Sequence, residues 1–243
     1  MLIDISGYKK IVILTGAGVS AASGLQTYRG KGGVWDEYNV EEYGHIDRLH
    51  SDPLKVWQLF GALREEVRGA EPNPAHFALA ELEKSLLPDQ ELFLITQNVD
   101  GLHRKAGSEK VIELHGRIDR TRCSNEACEL EPYVDTDAHL EKVPLCPKCE
   151  SPLRPDIVLF GEVIPTEEGF QSKRALRGCD LYLSIGTSGL VSPASNFVRS
   201  AEFEGARTIY INLEPMEPHN PKFKEMCLGK AEEILPKLFG ITD

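Results

Sequence analysis

Lys9-Lys10-Ile11-Val12-Ile13-Leu14-Thr15-Gly16-Ala17-Gly18-Val19-Ser20-Ala21-Ala22-Ser23-Gly24 decides how the chain is read. Its first half is a continuous apolar run, the pattern of a strand buried on both faces. Its second half places Gly16, Gly18 and Ala21 in the spacing G-x-G-x-x-G/A. A strand passing into that spacing predicts a tight turn, where glycine lets backbone approach a pyrophosphate, and then a helix whose free N–H groups and dipole face the anion. A Gly-rich strand-to-helix turn that binds nothing is the competing reading of this stretch alone. The acid that commonly binds ribose about 20 residues later is not found, since Asp36 and Glu37 sit in a Gly-rich segment and not at the end of a second strand.

Working outward, Leu92-Phe93-Leu94-Ile95 ends in Thr96-Gln97-Asn98-Val99-Asp100, and Val111-Ile112-Glu113-Leu114 delivers His115-Gly116. Leu153 to Glu162 reads as a strand entering a turn. Asp180 to Ile185 ends in Gly186-Thr187-Ser188, and Arg207 to Ile211 ends in Asn212-Leu213-Glu214. Between these runs lie helical patterns. Ser51-Asp52-Pro53 signals a helix start, with Val56, Phe60, Leu63 and Val67 as its apolar stripe, and Pro72-Asn73-Pro74 ends it. Ala75 to Leu86, Gly169 to Gly178, Val191 to Glu204 and Ala231 to Phe239 are further helices, the last packing the sheet edge. Five strands that end in polar or Gly-rich clusters and alternate with helices predict an α/β fold, a doubly wound parallel Rossmann-like sheet with its crevice at the carboxyl ends.

Two segments break the alternation. Leu25 to Trp35 is rich in Gly yet carries Tyr28, Arg29 and Trp35, and reads either as a loop closing over a ligand or as a surface loop pinned by its rings. Arg117 to Arg154 has little periodicity and holds Cys123-(x4)-Cys128 and Cys146-x-x-Cys149, two short loops separated by 17 residues. Paired cysteines in a polar module without an export signal read as a structural Zn(II) held by four thiolates, a closed shell that leaves no position for catalytic water. The expected division is therefore 1–35, 75–116 and 155–243 for the Rossmann-like domain, 36–74 for a cofactor-loop and helical module, and 117–154 for the zinc insertion.

Totals narrow the functional classes. The chain has 243 residues, with 27 Lys plus Arg against 38 Asp plus Glu and a formal charge of -11, which argues against a general surface for nucleic acid. No apolar run approaches the ~20 residues of a membrane span and no export signal is visible, so the expectation is a cytoplasmic protein without membrane or nucleic-acid partners.

Taken together, Gly16-Ala17-Gly18-Val19-Ser20 with Ser23-Gly24 and Arg29, Thr96 to His103, His115-Gly116, the four cysteines, Phe160-Gly161-Glu162, Gly186-Thr187-Ser188 and Asn212-Leu213-Glu214 resemble the sirtuins, NAD-dependent protein lysine deacylases, of bacterial and archaeal type. The resemblance runs in order over nearly the whole chain. It implies that Gly16, Ala17, Gly18 and Ser20 hold the pyrophosphate side of NAD, that Arg29 belongs to a loop closing over it, and that Gln97, Asn98 and Asp100 line the nicotinamide and ribose. Gly186, Thr187, Ser188, Asn212, Leu213, Glu214 and Ala231 would meet the adenosine half. His115 would take a proton from a ribose hydroxyl, with Asn98 and Asp100 in the same catalytic group. Val158, Phe160, Gly161 and Val191 would pair with the backbone of an acyl-lysine protein or peptide added as a strand. The implied products are free lysine, nicotinamide and O-acyl-ADP-ribose.

The chain departs from the class III branch of that family, its nearest in motifs, which carries Tyr-x-x-Arg in the acyl pocket. Those positions here are Phe60 and Leu63. Two apolar side chains offer a carboxylate no partner, so acetyl and other neutral acyl groups are expected over succinyl or malonyl. In the closing loop Gln26 and Tyr28 replace Pro and Phe. Protein mono-ADP-ribosyl transfer and a non-catalytic NAD-sensing module remain the alternatives.

Overall fold

The computed structural model describes residues 2–27 and 40–241. Tyr28, Arg29, Trp35, Asp36 and Glu37 lie outside the described residues, and with them most of the segment read as a closing loop. Six strands form one parallel sheet: β1 (Lys10–Thr15), β2 (Glu91–Thr96), β3 (Val111–Glu113), β7 (Leu181–Ile185), β8 (Arg207–Asn212) and β9 (Glu225–Leu228), in the order β3-β2-β1-β7-β8-β9. The chain starts in the middle and winds outward in both directions, so the switch point falls between β1 and β7.

Register makes that switch point a shelf. Thr15 is level with Thr96 and with Ile185, Thr96 with Glu113, and Ile185 with Ile211. Gly16, Gln97, His115, Gly186 and Asn212 therefore emerge along one edge. β1 alternates between two cores, Ile11 and Ile13 facing one and Val12 and Leu14 the other, as a strand covered on both sides must. The residues that gave β1 its unbroken apolar run are thus divided between two helical layers.

Two expectations need correction. No α-helix follows Gly16-Ala17-Gly18 directly; the described chain there makes two 3-10 turns, Ala17–Val19 and Ala21–Ser23. The helix Ala231–Leu238 does not pack the sheet edge. Its Ala231, Leu235 and Leu238 join the core under β1, β7 and β8, and it lies against the helix Pro74–Lys84. The edge beyond β8 is taken by β9, whose Glu225-Met226-Cys227-Leu228 is four residues long and nowhere fully buried, too weak a pattern to read as a strand.

The run from Leu153 joins a second, antiparallel sheet of β5 (Tyr133–Val134), β4 (Gly116–Cys123) and β6 (Leu153–Ile157), in the order β5-β4-β6. β4 starts directly after His115 and ends on Cys123. The aperiodic reading of this region follows from its mixed environment: within β4 only Ile118, Thr121 and Cys123 are buried, not every second residue. The helix Pro53–Arg68 packs on the antiparallel sheet, with Val56, Leu59 and Phe60 among Val99, Ile118, Ile157 and Leu159.

Candidate active site

The shelf is the floor of one cavity of about 1570 Å³. At its centre, backbone meets backbone. A Cβ on Gly18 would stand 2.8 Å from the Gly186 Cα, and one on Gly16 would stand 2.7 Å from the Thr187 Cβ. The Gly18 amide donates to the Gly186 carbonyl at 2.8 Å and the Gly16 amide to the Ile185 carbonyl at 3.0 Å. Both glycines are thus demanded first by the close approach of the β1 and β7 termini, a reason that the spacing alone did not show.

His115 closes the short β3–β4 connection. Its Nδ1 lies 3.0 Å from the Gln97 carbonyl, which can only accept, so Nδ1 carries the proton and Nε2 keeps its lone pair. Burial holds the imidazole below the usual histidine range, against the raising effect of that bond. A neutral ring with Nε2 as its acceptor is the form required of a general base at neutral pH.

Gln97 and Asn98 are set by the β1 and β7 ends. The Gln97 Nε2 donates to Thr187 Oγ1 at 2.9 Å, and the Asn98 Nδ2 donates to the Gly16 carbonyl and to Ser20 Oγ, each at 3.1 Å. Ser20 in turn donates to Asp100 Oδ2 at 2.7 Å, while Asp100 Oδ1 accepts from the Leu102 amide at 2.9 Å. Burial pushes the Asp100 carboxyl up, opposed by these two bonds.

A histidine that the sequence reading passed over completes the chain. The Asn73 amide donates to His76 Nδ1 at 3.2 Å, so Nε2 bears the proton and points it at Ser20 Oγ, 3.4 Å away. Burial pushes His76 down to about 4. His76 sits in a helix called only for its apolar residues. The one available signal was Asn73-Pro74-Ala75-His76, where Asn73 caps the helix and His76 closes the reciprocal bond.

Of the residues singled out in the sequence, Gly16, Ala17, Gly18, Phe60, Gln97, Asn98, His115, Val158, Phe160, Gly161, Gly186, Thr187, Ser188, Val191, Asn212, Leu213, Glu214 and Ala231 line the cavity. Ser20 and Asp100 stand one layer behind Asn98, and Leu63 packs beside Phe60 without lining the space. Phe160 is not open to main-chain pairing, because its amide donates to the Gly44 carbonyl and its carbonyl accepts from Ile46, both at 2.9 Å. The Val158 carbonyl and the Gly161 amide and carbonyl make no hydrogen bond among the described residues. Asn212 donates to the Thr187 carbonyl at 3.2 Å, and Tyr210, Met216 and Lys230, none of them foreseen, add to the far wall.

The four cysteines meet as the spacing predicts. Cys123 and Cys149 sulfurs are 3.5 Å apart, Cys128 and Cys146 sulfurs 3.6 Å, and all four lie within 4.8 Å of one another. Tetrahedral Zn–S bonds of about 2.3 Å imply S···S separations near ~3.8 Å, so the donor set fits zinc.

A model of the Sir2 family matches residues 16–193. The chain belongs to the Sir2 family. NAD-dependent protein deacylases of Pyrococcus furiosus and Vibrio cholerae are 41% and 40% identical to this Sir2 chain over 232 and 235 residues, covering 93% and 95% of it and 90% and 92% of theirs. A solved Sir2 homologue in complex with NAD matches it with a TM-score of 0.87 at 39% identity, over 96% of this chain and 89% of that one. A Sir2 structure holding a deacetylated peptide and 3′-O-acetyl-ADP-ribose matches with a TM-score of 0.84 at 30% identity, over 96% of this chain and 93% of that one.

Proposed function

We propose that this Sir2 chain is an NAD-dependent protein lysine deacylase. The observation that carries the reading is the continuity of one cavity from the β1–β7 switch point, past the Nε2 of a neutral, fixed His115, to the open main-chain groups of Val158 and Gly161. A dinucleotide, a base and an extended peptide thereby share one space. The relatives named NAD-dependent protein deacylase support it.

In this reading Gly16, Ala17, Gly18 and Gly186 to Ser188 would hold the pyrophosphate side of NAD, and Asn212, Leu213, Glu214 and Ala231 the adenosine. Gln97 and Asn98 would face the nicotinamide ribose. NAD, when bound, would supply a ribose carbon that gives up nicotinamide and a ribose hydroxyl that ends up bearing the acyl group. The chain contributes orientation and proton transfer. His115 Nε2 takes a hydroxyl proton, and its Nδ1–H bond to Gln97 keeps the ring aimed while it does so. Asp100, Ser20 and His76 act through Asn98, fixing its amide so that its carbonyl oxygen is presented in one orientation. Arg29 is assigned to the cofactor by resemblance alone. Cys123, Cys128, Cys146 and Cys149 would hold a zinc that fixes the end of β4 and, with four thiolates closing its shell, would take no part in the chemistry.

The same reading extends to the acyl group. Phe60 lines the cavity and Leu63 backs it, and a carboxylate buried there without a partner would cost several kcal/mol (~2 or more). Neutral acyl groups are therefore proposed over succinyl or malonyl. The deciding experiment supplies zinc-replete protein with NAD and acetyl-, longer-acyl and succinyl-lysine peptides and measures nicotinamide release. Peptide-dependent release, reduced about a hundredfold or more in His115→Ala, is expected. Normal turnover by His115→Ala would sink the assignment, and label from NAD accumulating on protein without deacylated peptide would favour ADP-ribosyl transfer. Efficient desuccinylation would overturn the acyl preference alone.

A further inference from the structure

Arg64 lies on the helix Pro53–Arg68 one turn beyond Phe60, yet its side chain is only 1% exposed and does not line the cavity. Its surroundings explain where it goes. Between Arg117 and Thr121 the β4 strand advances four residues while its partner moves only from Asp156 to Pro155, so Ile118, Asp119 and Arg120 bulge out of the ladder. The bulge is in the ladder with β6 only: Arg120 stays level with Val134 of β5 and the Asp119 carbonyl accepts from the Asp135 amide at 2.9 Å, while the Ile118 and Arg120 carbonyls must be satisfied otherwise.

Arg64 satisfies them. Its Nε–H donates to the Ile118 carbonyl at 2.6 Å, and its Nη2 donates to the Arg120 carbonyl at 2.6 Å and to Thr121 Oγ1 at 2.8 Å. Its Nη1 donates to the Asp137 carbonyl at 2.8 Å and stands 3.4 Å from the Asp135 carboxylate. Of the five N–H groups of the guanidinium, four donate to these oxygens and the fifth is left to the Asp135 carboxylate in an ion pair. The Trp57 ring lies 4.9 Å from its carbon, adding a cation–π contact.

The bulge occupies a sensitive place. β4 hangs from His115, whose carbonyl is held by the Val158 amide at 2.9 Å, and the Ile118 amide donates to the Val99 carbonyl at 2.9 Å, beside Asn98. The Ile118 side chain packs in the same cluster as Phe60, Ile157 and Leu159. One guanidinium therefore ties the helix carrying Phe60 to the strand that starts directly after His115.

We propose, resting on the deacylase reading, that Arg64 is the positioning residue that sets the width of the acyl-lysine passage between Phe60 and His115, and so the range of acyl chains the site accepts. Lysine cannot replace it, having three donors and no planar fork. Displacing one wall of a site by about 1 Å can cost a hundredfold in rate.

The test compares wild type, Arg64→Lys and Thr121→Val, each with zinc content checked by metal analysis, using nicotinamide release from acetyl- and octanoyl-lysine peptides at saturating NAD. Arg64→Lys is expected to change the acetyl-to-octanoyl ratio of kcat/KM by about fivefold or more, mostly through the peptide KM, and Thr121→Val to change it in the same direction by less. A purely structural role would lower the melting temperature and leave that ratio alone. A ratio within about twofold of wild type in zinc-loaded, cooperatively melting Arg64→Lys overturns the proposal. If that variant does not fold, the same criterion applied to Thr121→Val decides. Wild type showing no acyl-dependent release condemns the deacylase reading instead, and the proposal falls with it.

Discussion

His76 offers a sharp test of the packing behind the active site. Its ring is fully buried, accepts from the Asn73 amide, faces Ser20 and is pushed from 6.5 down to about 4 by burial. At neutral pH the folded and unfolded chains both carry it neutral. As pH falls through 6.5, the unfolded chain gains a proton that the folded chain refuses, so the native state loses stability until the folded pKa is reached. Each pH unit in that window is worth about 1.4 kcal/mol, and the whole shift about 3 kcal/mol. His76→Gln keeps an acceptor and a donor at similar reach but does not titrate. Urea unfolding of wild type and His76→Gln at several pH values between about 7 and 4 should show the wild type losing about 1.4 kcal/mol more per unit than the variant below about pH 6.5. The carboxylates contribute to both proteins and cancel in the difference, while His103, whose ring packs 4.9 Å from His76 and is pushed down mainly by burial and further by that neighbour, is relieved slightly in the variant. Parallel stability profiles would refute the argument, because the buried ring would then be titrating as it does in the unfolded chain.

Three further outcomes follow from the geometry. The kcat/KM for acetyl-peptide should fall on acidification with a midpoint below 6.5 and be level above it, because His115 acts neutral and burial lowers its pKa; a midpoint above 6.5 in the pH–rate profile would contradict the assigned environment. Chelating the zinc should expose Trp57, which packs against Cys123 and Cys146 and donates to the Leu153 carbonyl at 2.9 Å, and so shift its fluorescence to the red until zinc is restored. Unchanged emission from metal-free protein would mean that the cysteines alone hold the module. Gly116→Ala should cost about 2 kcal/mol or more in chemical unfolding, since φ is +81° and the added Cβ would lie 2.2 Å from the Asp156 carbonyl. Wild-type stability would show that β4 can leave His115 by another path.

Much of this architecture is legible in the residues, and the exceptions have physical causes. β1, β2, β7 and β8 announce themselves because strands covered on both faces must be apolar throughout. The cysteine pairs are equally plain, since few arrangements other than a metal shell use that spacing, whereas a histidine at a strand end is as often a satisfied structural residue and His115 stands out only through the family resemblance. β9 and the bulged β4 escape because edge and half-exposed strands carry no clean period. The turns after Gly18 mislead because the glycine pattern is shared by helices that begin there and by chains that must pass close to a neighbouring strand, as at Gly186. The work of Arg64 could not be read, and His76 left only the capping-box spacing from Asn73 as a signal. A charged residue in a helix suggests solvent until five acceptors from distant segments enclose it, and those segments are brought together only by the fold.

The contact of Gly16 and Gly18 with Gly186 and Thr187 has a consequence for how such a site can diversify. Main chain pressed on main chain leaves no side chain to exchange, so a substitution at Gly18 or Gly186 cannot be rescued by trimming the other. Laboratory libraries spanning those two positions should return almost only the parental pair, whereas Asn212 to Glu214 and Phe60, which meet the cavity through side chains, stay open to retuning. New cofactor or acyl preferences in this scaffold must therefore be written at its walls, around a floor that admits no spelling changes.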